Sequence, residues 1–412
     1  MNTVLQPVAT QVRVGDQIYP IAGRIARGFE PVLDAFIDNF ARGEELGASA
    51  CAMQAGHVLY DLWGGFTDGA RTRAWDEHTI VCMMSVAKAA ATTCAFVLVD
   101  EGRLDLDAPV ARYWPEFAAA GKADLPVRYV LDHRAGLPVI DNLGRGTIYD
   151  WDAVVAALAR QAPAWSPGEE AGYHILTMGF LVGELVRRVS GQSLGTFWRE
   201  RIARPLAIDY QIGLHSTDNA RCAEFRQAVE GTIFDAERTT PAAYVGRAWI
   251  QLDVGEDFNS AHWRGAEIPG ANGHGNARAV ARLYAMLVGG GELEGVRIMS
   301  PQTVARMRAE QHNLTEQVMG RSYHQALGIL RNSPPIVWMG PNPNAFGHHG
   351  VGGAIGLGDP DAKLAFAYGM NQMHARFDNG PRAGSLIEAT YRALGIPATR
   401  GELRNAGELR TA

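Results

Sequence analysis

The chain has 412 residues, of which 47% are hydrophobic and 20% charged, with a formal net charge of −6. That balance excludes a disordered tail or a collagen-like chain, and it gives no electrostatic reason to expect nucleic acid or an anionic membrane as a partner. At roughly 150 residues per domain, the length indicates two or three domains with sizeable cores. Lysine is scarce: Lys88, Lys122 and Lys363 account for 3 of the 38 basic residues, and arginine supplies the other 35. A lysine in a chemically suggestive place is therefore harder to ascribe to chance. Cys51, Cys82, Cys94 and Cys222 form no C-x-x-C pair, which argues against disulfides and a zinc site. Met1 to Gly15 lacks the basic and apolar regions of a signal peptide. No stretch reaches the ~18 uninterrupted apolar residues of a membrane span, so a cytoplasmic protein is expected.

Taken in order, Gly28 to Gly43 has helical apolar spacing through Phe29, Val32, Phe36 and Phe40. Ala48 to Met53 and Val58 to Trp63 read as two strands joined by the turn Ala55-Gly56-His57, a hairpin. Thr79 to Asp100 is strongly apolar; its Ala-rich second half, Ser85 to Leu98, predicts a helix ended by Gly102. Helices are also predicted over Trp151 to Leu158, Met178 to Val189, Gly195 to Ile202, Ala277 to Gly289 and Ser300 to Glu310. Leu214 to Gly270 resists assignment. Strand patterns return at Gln325 to Leu330, Ile336 to Met339, Ala354 to Leu357 and Leu364 to Met370, followed by a closing helix from Ser385 to Leu394. The tail after Pro397 is polar and expected to be mobile. Strands at both ends with helices between predict a two-domain α+β fold. An antiparallel sheet flanked by helices is built from residues 1–100 and 275–412, and a mainly helical segment, 101–274, is inserted between them.

Ser85-Val86-Ala87-Lys88 is an S-x-x-K motif. With 11 serines and 3 lysines in 412 residues, composition alone predicts about 0.08 such motifs. The serine opens a helix, where unpaired N–H groups and the positive dipole end gather. The i, i+3 spacing puts Ser85 and Lys88 one turn apart on the same face. A serine hydroxyl becomes a nucleophile when a base takes its proton, and a lysine can be that base once burial lowers its pKa. The plainer reading makes Ser85 an N-cap and Lys88 a solvated residue. The apolar neighbours Val86, Ala87, Ala89, Ala90 and Ala91 weaken it.

The stretches Met84 to Lys88, Asp100 to Val110, Trp114 to Phe117 and Val127 to Pro138 together resemble the serine β-lactamase/penicillin-binding-protein superfamily, most of all its class C-like esterase branch (family VIII carboxylesterases). The similarity runs from about Phe29 to Leu394. The resemblance implies a nucleophile at Ser85, its base at Lys88 and a catalytic tyrosine at Tyr173, reached through Pro167-Gly168-Glu169-Glu170-Ala171-Gly172. Ile175 stands where the family's Y-x-N motif has Asn, which puts efficient lactam hydrolysis in doubt and leaves ester cleavage intact. His348-His349-Gly350 resembles the H-T-G variant of the third motif, implying substrate-binding positions at His348, His349, Gly350 and Ile175. The backbone N–H groups of Ser85 and Val351 would form the oxyanion hole.

Gly191-Gln192-Ser193-Leu194-Gly195 also fits G-x-S-x-G, but a nucleophile elbow needs a strand before it, and a predicted helix precedes Ser193. Ser193 is expected to cap the next helix. Thr217-Asp218-Asn219 echoes S-D-N within an irregular segment. His348 and His349 lack a third ligand at metal-site spacing, and no G-x-G-x-x-G or P-loop is present, so neither a metal nor a cofactor is expected. The expected activity is that of a serine carboxylesterase acting on small, short-chain acyl esters through an acyl-Ser85 intermediate. Acyl transfer or amide cleavage, as in the 6-aminohexanoate-dimer hydrolases, is the alternative on the same site. A β-lactamase or an inactive binding protein fits less well. A homo-oligomer is compatible with the sequence, which does not specify the state.

Overall fold

The computed structural model describes residues 4–141, 143–228, 244–249, 258–376 and 378–399. Much of the unassigned Leu214 to Gly270 stretch, and the tail expected to be mobile from residue 400 on, lie outside the described residues.

An eight-stranded antiparallel sheet forms the scaffold. Its strands are β1 (Leu5–Val14), β2 (Gln17–Ala26), β3 (Gly47–Gln54), β4 (His57–Gly65), β5 (Leu330–Arg331), β6 (Phe346–His349), β7 (Ile355–Asp359) and β8 (Leu364–Met370), in the order β1-β2-β4-β3-β8-β7-β6-β5. As the sequence pattern predicts, both ends of the chain meet in this sheet. The seam is the β3–β8 pair, in register from Leu364 opposite Gln54 to Met370 opposite Ala48. The β3–β4 hairpin turns through Ala55 and Gly56, both at positive φ.

Three expectations are corrected. The β1–β2 hairpin falls where no element was predicted: β1 is an edge strand with most of its side chains exposed, so it lacks the alternation that marks a half-buried strand. Gln325 to Leu330 is strand only at its end. Gln325 folds back, its amide donating to the Ala326 and Ile329 carbonyls at 2.8 and 3.1 Å, and makes a loop of the rest. Ile336 to Met339 is a loop stapled by Asn332, which bonds Met339 N, Gly340 O and Asn342 O. The strand in this region is instead β6, which begins at Phe346.

The main helices are α1 (Glu30–Ala41), α2 (Ala87–Asp100), α3 (Trp151–Arg160), α4 (Thr177–Ser190), α5 (Ala277–Val288), α6 (Pro301–Arg308) and α7 (Gly380–Ala393). The central strand β3 is built of small residues (Gly47, Ala48, Ser49, Ala50, Cys51, Ala52), all buried. Small side chains let helices approach closely. α5 covers β3, β7 and β8. α7 reaches the sheet where Tyr60 of β4 shares a 2.6 Å hydrogen bond with Thr390, and α1 packs beside α7. α2 is buried along almost its whole length; it packs against α4, α6 and the short helix Leu194–Trp198. It is therefore the joint between the sheet layer and the helices of the middle of the chain. All four cysteines are free and buried. No helix among the described residues is long and apolar enough to cross a membrane.

A buried ion pair ties α7 to the segment that leads into β3. The Arg382 and Glu45 side chains are 2% and 0% exposed and meet at 2.8 Å. Arg382 also donates to the carbonyls of Glu44, Gly352 and Gln372. Removing one member leaves the other charge buried and unpaired. Arg382→Ala is expected to cost about 3–5 kcal/mol in urea-induced unfolding. A loss under ~1 kcal/mol would show that the pair carries little of the fold.

Candidate active site

Ser85 lies in a single 3-10 turn, Met84–Val86, between the short strand Val81–Cys82 and α2. The residue before it, Met84, is forced to φ +48°, a conformation that costs a side-chain-bearing residue about 1–2 kcal/mol. Its flanks hold it there: Met83 N donates to Gly273 O at 2.9 Å, and Val86 N to Met83 O at 3.3 Å. The turn lifts Ser85 out of the α-helix proper, so its hydroxyl is not consumed as an N-cap.

Lys88, on the first turn of α2, is fully buried. Its Nζ lies 3.1 Å from Ser85 Oγ and donates to the carbonyl oxygens of Ile175 and Gly270, each at 2.7 Å. Gly270 is glycine for a steric reason. A Cβ there would sit 2.8 Å from the Leu176 carbonyl oxygen and 2.9 Å from that of Ile175, prising the two carbonyls apart. Burial holds the Lys88 amine well below its ordinary pKa, and no carboxylate among the described residues offsets that shift. Two N–H bonds to carbonyls leave one tetrahedral direction, and Ser85 occupies it. In the neutral amine that direction is the lone pair.

The Tyr173 phenol is the third polar group here. The Ser85 hydroxyl is near enough to pull its pKa down against burial, and the Lys88 Nζ lies 4.8 Å from its ring centroid. Burial pushes its pKa above the usual tyrosine range, so the phenol keeps its proton at neutral pH. The backbone on both sides is clamped. Gly172 N donates to His133 O at 3.0 Å, and His174 N to His133 Nδ1 at 3.1 Å. Tyr173 N donates to Glu316 Oε2 at 2.8 Å. His133 is buried at φ +66°, with its ring edge-on to Tyr173 at 5.0 Å. His174 accepts from Leu137 N on Nε2 and donates from Nδ1 to Gly172 O, which fixes one neutral tautomer; burial holds its pKa near 4. Glu316 also accepts from Val318 N at 2.9 Å, Met319 N at 2.6 Å and Arg321 N at 3.3 Å.

The third motif closes the site. Gly350 presses on the Ser85 turn so tightly that a Cβ would lie 2.3 Å from the Met83 carbonyl oxygen. This brings the Gly350–Gly353 turn, with Val351, beside the Ser85 turn. His348 stacks on Tyr173, centroids 6.1 Å apart and planes 30° apart. His349 is buried 5.9 Å from His348; Arg321 and Asp378 dominate its field after burial, which holds its pKa near 4. Ile175 enters through its backbone: its side chain is buried, and its carbonyl receives the Lys88 amine. The structure thus gathers Ser85, Lys88, Tyr173 and His348, with Gly350 and Val351 in the adjoining turn. It adds the Gly270 carbonyl, His133 and Glu316, which the motifs did not single out as functional. His133 sits inside a family-like stretch, but Glu316 and Gly270 carry no local signal. Ser193 is the cap of helix Leu194–Trp198, accepting from Thr196 N at 3.3 Å and donating to Glu267 at 2.6 Å; α4, not a strand, precedes it. Asp218 is held by Gln211 and Arg221 in a 3-10 helix. Among the described residues, no group of three or more His, Cys, Asp or Glu side chains could hold a metal ion.

An antiparallel sheet closed from both ends of the chain, with a Ser-x-x-Lys turn where it joins a helical segment, is the architecture of the serine β-lactamase/penicillin-binding-protein superfamily. The chain belongs to the beta-lactamase family, whose model matches residues 33–390. The crystal structure of a family VIII carboxylesterase is similar over 90% of this chain and 99% of that one, at 41% identity and a TM-score of 0.84. A penicillin-binding-protein homologue from Caulobacter crescentus is similar over the same shares, at 37% identity and a TM-score of 0.84. Among curated proteins, the esterase/beta-lactamase LipL of Mycobacterium tuberculosis is 32% identical over 375 residues, covering 86% of this chain and 85% of LipL.

Glu316 serves several backbone N–H groups with two carboxylate oxygens, whereas an amide has one acceptor oxygen. Glu316→Gln is expected to cost about 1–3 kcal/mol in chemical unfolding. An unchanged midpoint would show that the clamp on the Tyr173 segment does not depend on the carboxylate.

Proposed function

We propose that the protein is a serine carboxylesterase that hydrolyses small, short-chain acyl esters. The observation that carries the reading is the Lys88 amine, buried and turned by two carbonyls so that its free direction meets Ser85 Oγ. Ser85 attacks the ester carbonyl as its proton passes to Lys88. The oxyanion is received by the backbone N–H groups of Ser85 and Val351. Tyr173, which burial keeps protonated, gives its proton to the departing alcohol and is reprotonated through Lys88. Water then hydrolyses the acyl-Ser85 intermediate. The carboxylesterase and LipL relatives support an ester as the bond broken. The third motif supports a neutral substrate. Burial, then the nearby Lys88 and His349, hold the His348 pKa well below the ordinary histidine range, so the ring offers no positive charge to an anionic lactam. With Ile175 in place of an amide-bearing residue, efficient lactam cleavage is disfavoured further. The sheet layer, residues 1–100 and 275–412, and the inserted segment, 101–274, are proposed as two domains with this site between them.

A fluorophosphonate should label Ser85 alone, and an adduct on Ser193 would sink the assignment. Ser85→Ala should abolish p-nitrophenyl butyrate turnover. Lys88→Ala and Tyr173→Phe should each lower kcat by about 10²–10⁴-fold. Lys88→Arg should be as poor as Lys88→Ala, because a guanidinium keeps its proton. Wild-type kcat/KM should fall as pH drops through the lowered Lys88 pKa, since the ammonium form has no lone pair; a profile flat through the acid range would rule out Lys88 as the base.

A further inference from the structure

The His348 ring holds an acceptor that no described residue uses. Its Nδ1 lies 2.7 Å from the His349 carbonyl oxygen. A carbonyl can only accept, so the proton of the neutral ring sits on Nδ1 and Nε2 carries a lone pair. That Nε2 is buried and has no hydrogen-bond partner among the described residues. The ring lies against Tyr173, on the strand that runs into Gly350 and the turn beside Ser85. A buried acceptor left unpaired is costly, so the chemistry that suits this position brings a hydrogen of its own.

Acyl acceptors differ in how many hydrogens they bring. Building on the acyl-Ser85 reading, the second half-reaction joins the acceptor oxygen to the acyl carbon and breaks the bond from that carbon to Ser85 Oγ. One acceptor hydrogen leaves as a proton, passes through Lys88 and Tyr173, and ends on Ser85 Oγ. Water keeps a second hydrogen, which can be donated to His348 Nε2 throughout. A simple alcohol carries an alkyl group in that position and leaves Nε2 unpaired. We propose that His348 Nε2 selects water over alcohols as the acyl acceptor, so that the site hydrolyses esters rather than transferring their acyl groups. His348 is in this account a group that touches the incoming nucleophile, while the departing proton follows the Lys88–Tyr173 path.

The test is a partition ratio. Enzyme is given p-nitrophenyl butyrate with methanol, and methyl butyrate is measured against butyric acid. The ratio is set after acylation, so even a slow variant reports it. His348→Asn keeps an amide N–H near the Nδ1 position for the His349 carbonyl but places no acceptor at the Nε2 position. His348→Gln reaches that position with an amide oxygen. The Asn variant should raise the ester-to-acid ratio roughly fivefold or more, and the Gln variant should stay near wild type. An unchanged ratio in His348→Asn, or equal shifts in both variants, would overturn the proposal. His348→Met, of similar bulk without a strong acceptor, replaces the Asn variant if that protein does not fold. Intact-mass analysis of the wild-type acyl-enzyme separates the two levels: a butyryl group on a residue other than Ser85 contradicts the acyl-Ser85 reading itself, whatever the ratio.

Discussion

The site depends on a buried amine whose polar contacts among the described residues are two carbonyl oxygens and a hydroxyl. Lys88 makes no ion pair among the described residues, so burial acts on it without a neutralising charge. Lys122 gives an internal contrast. It is also buried, yet its Nζ meets three carbonyl oxygens, of Ala119, Ala159 and Gln161. Three obligate acceptors call for three N–H donors, which an ammonium supplies. At Lys88 the third partner is a hydroxyl, which can itself donate. The same residue type thus serves as a structural clamp in one place and is suited to act as a base in the other, because one acceptor has been replaced by a group that carries a proton.

The surrounding architecture preserves that arrangement. The 3-10 turn supplies Ser85 and the first turn of α2 supplies Lys88, so their separation is fixed by a short run of continuous helical backbone. The Ile175 and Gly270 carbonyls come from segments 95 residues apart, held in contact because Gly270 has no side chain. His133 and Glu316 grip the main chain around Tyr173, and Gly350 brings the β6 turn against the Ser85 turn. Histidines 133, 174 and 348 are all buried and held toward their neutral forms, so the cluster adds no fixed cation near Lys88.

Much of this was legible in the sequence where chemistry and local pattern coincide. The S-x-x-K spacing, the apolar residues around Lys88, the β3–β4 hairpin and the long helices all follow from short-range rules. The Ser193 decoy was also separable, because the helix before it contradicts an elbow. What escaped was information held in partners distant in sequence. Glu316 lies 143 residues from the tyrosine backbone it supports. The edge strand β1 leaves too little apolar alternation to read. Gln325 and Asn332 turn strand-like stretches into loops through side-chain bonds that no periodicity records. Ile175, singled out for its side chain, contributes a carbonyl instead.

Because the chain has three lysines, the state of Lys88 can be read directly. The side-chain nitrogens of ¹⁵N-lysine-labelled protein are followed by NMR as pH is raised, and the signal missing in Lys88→Arg identifies Lys88. The account predicts that this signal moves to the neutral-amine position at a pH well below that of an ordinary lysine, and that the same deprotonation accompanies the rise in kcat/KM. A Lys88 signal that stays ammonium until about pH 10.4, the ordinary lysine pKa, would contradict it.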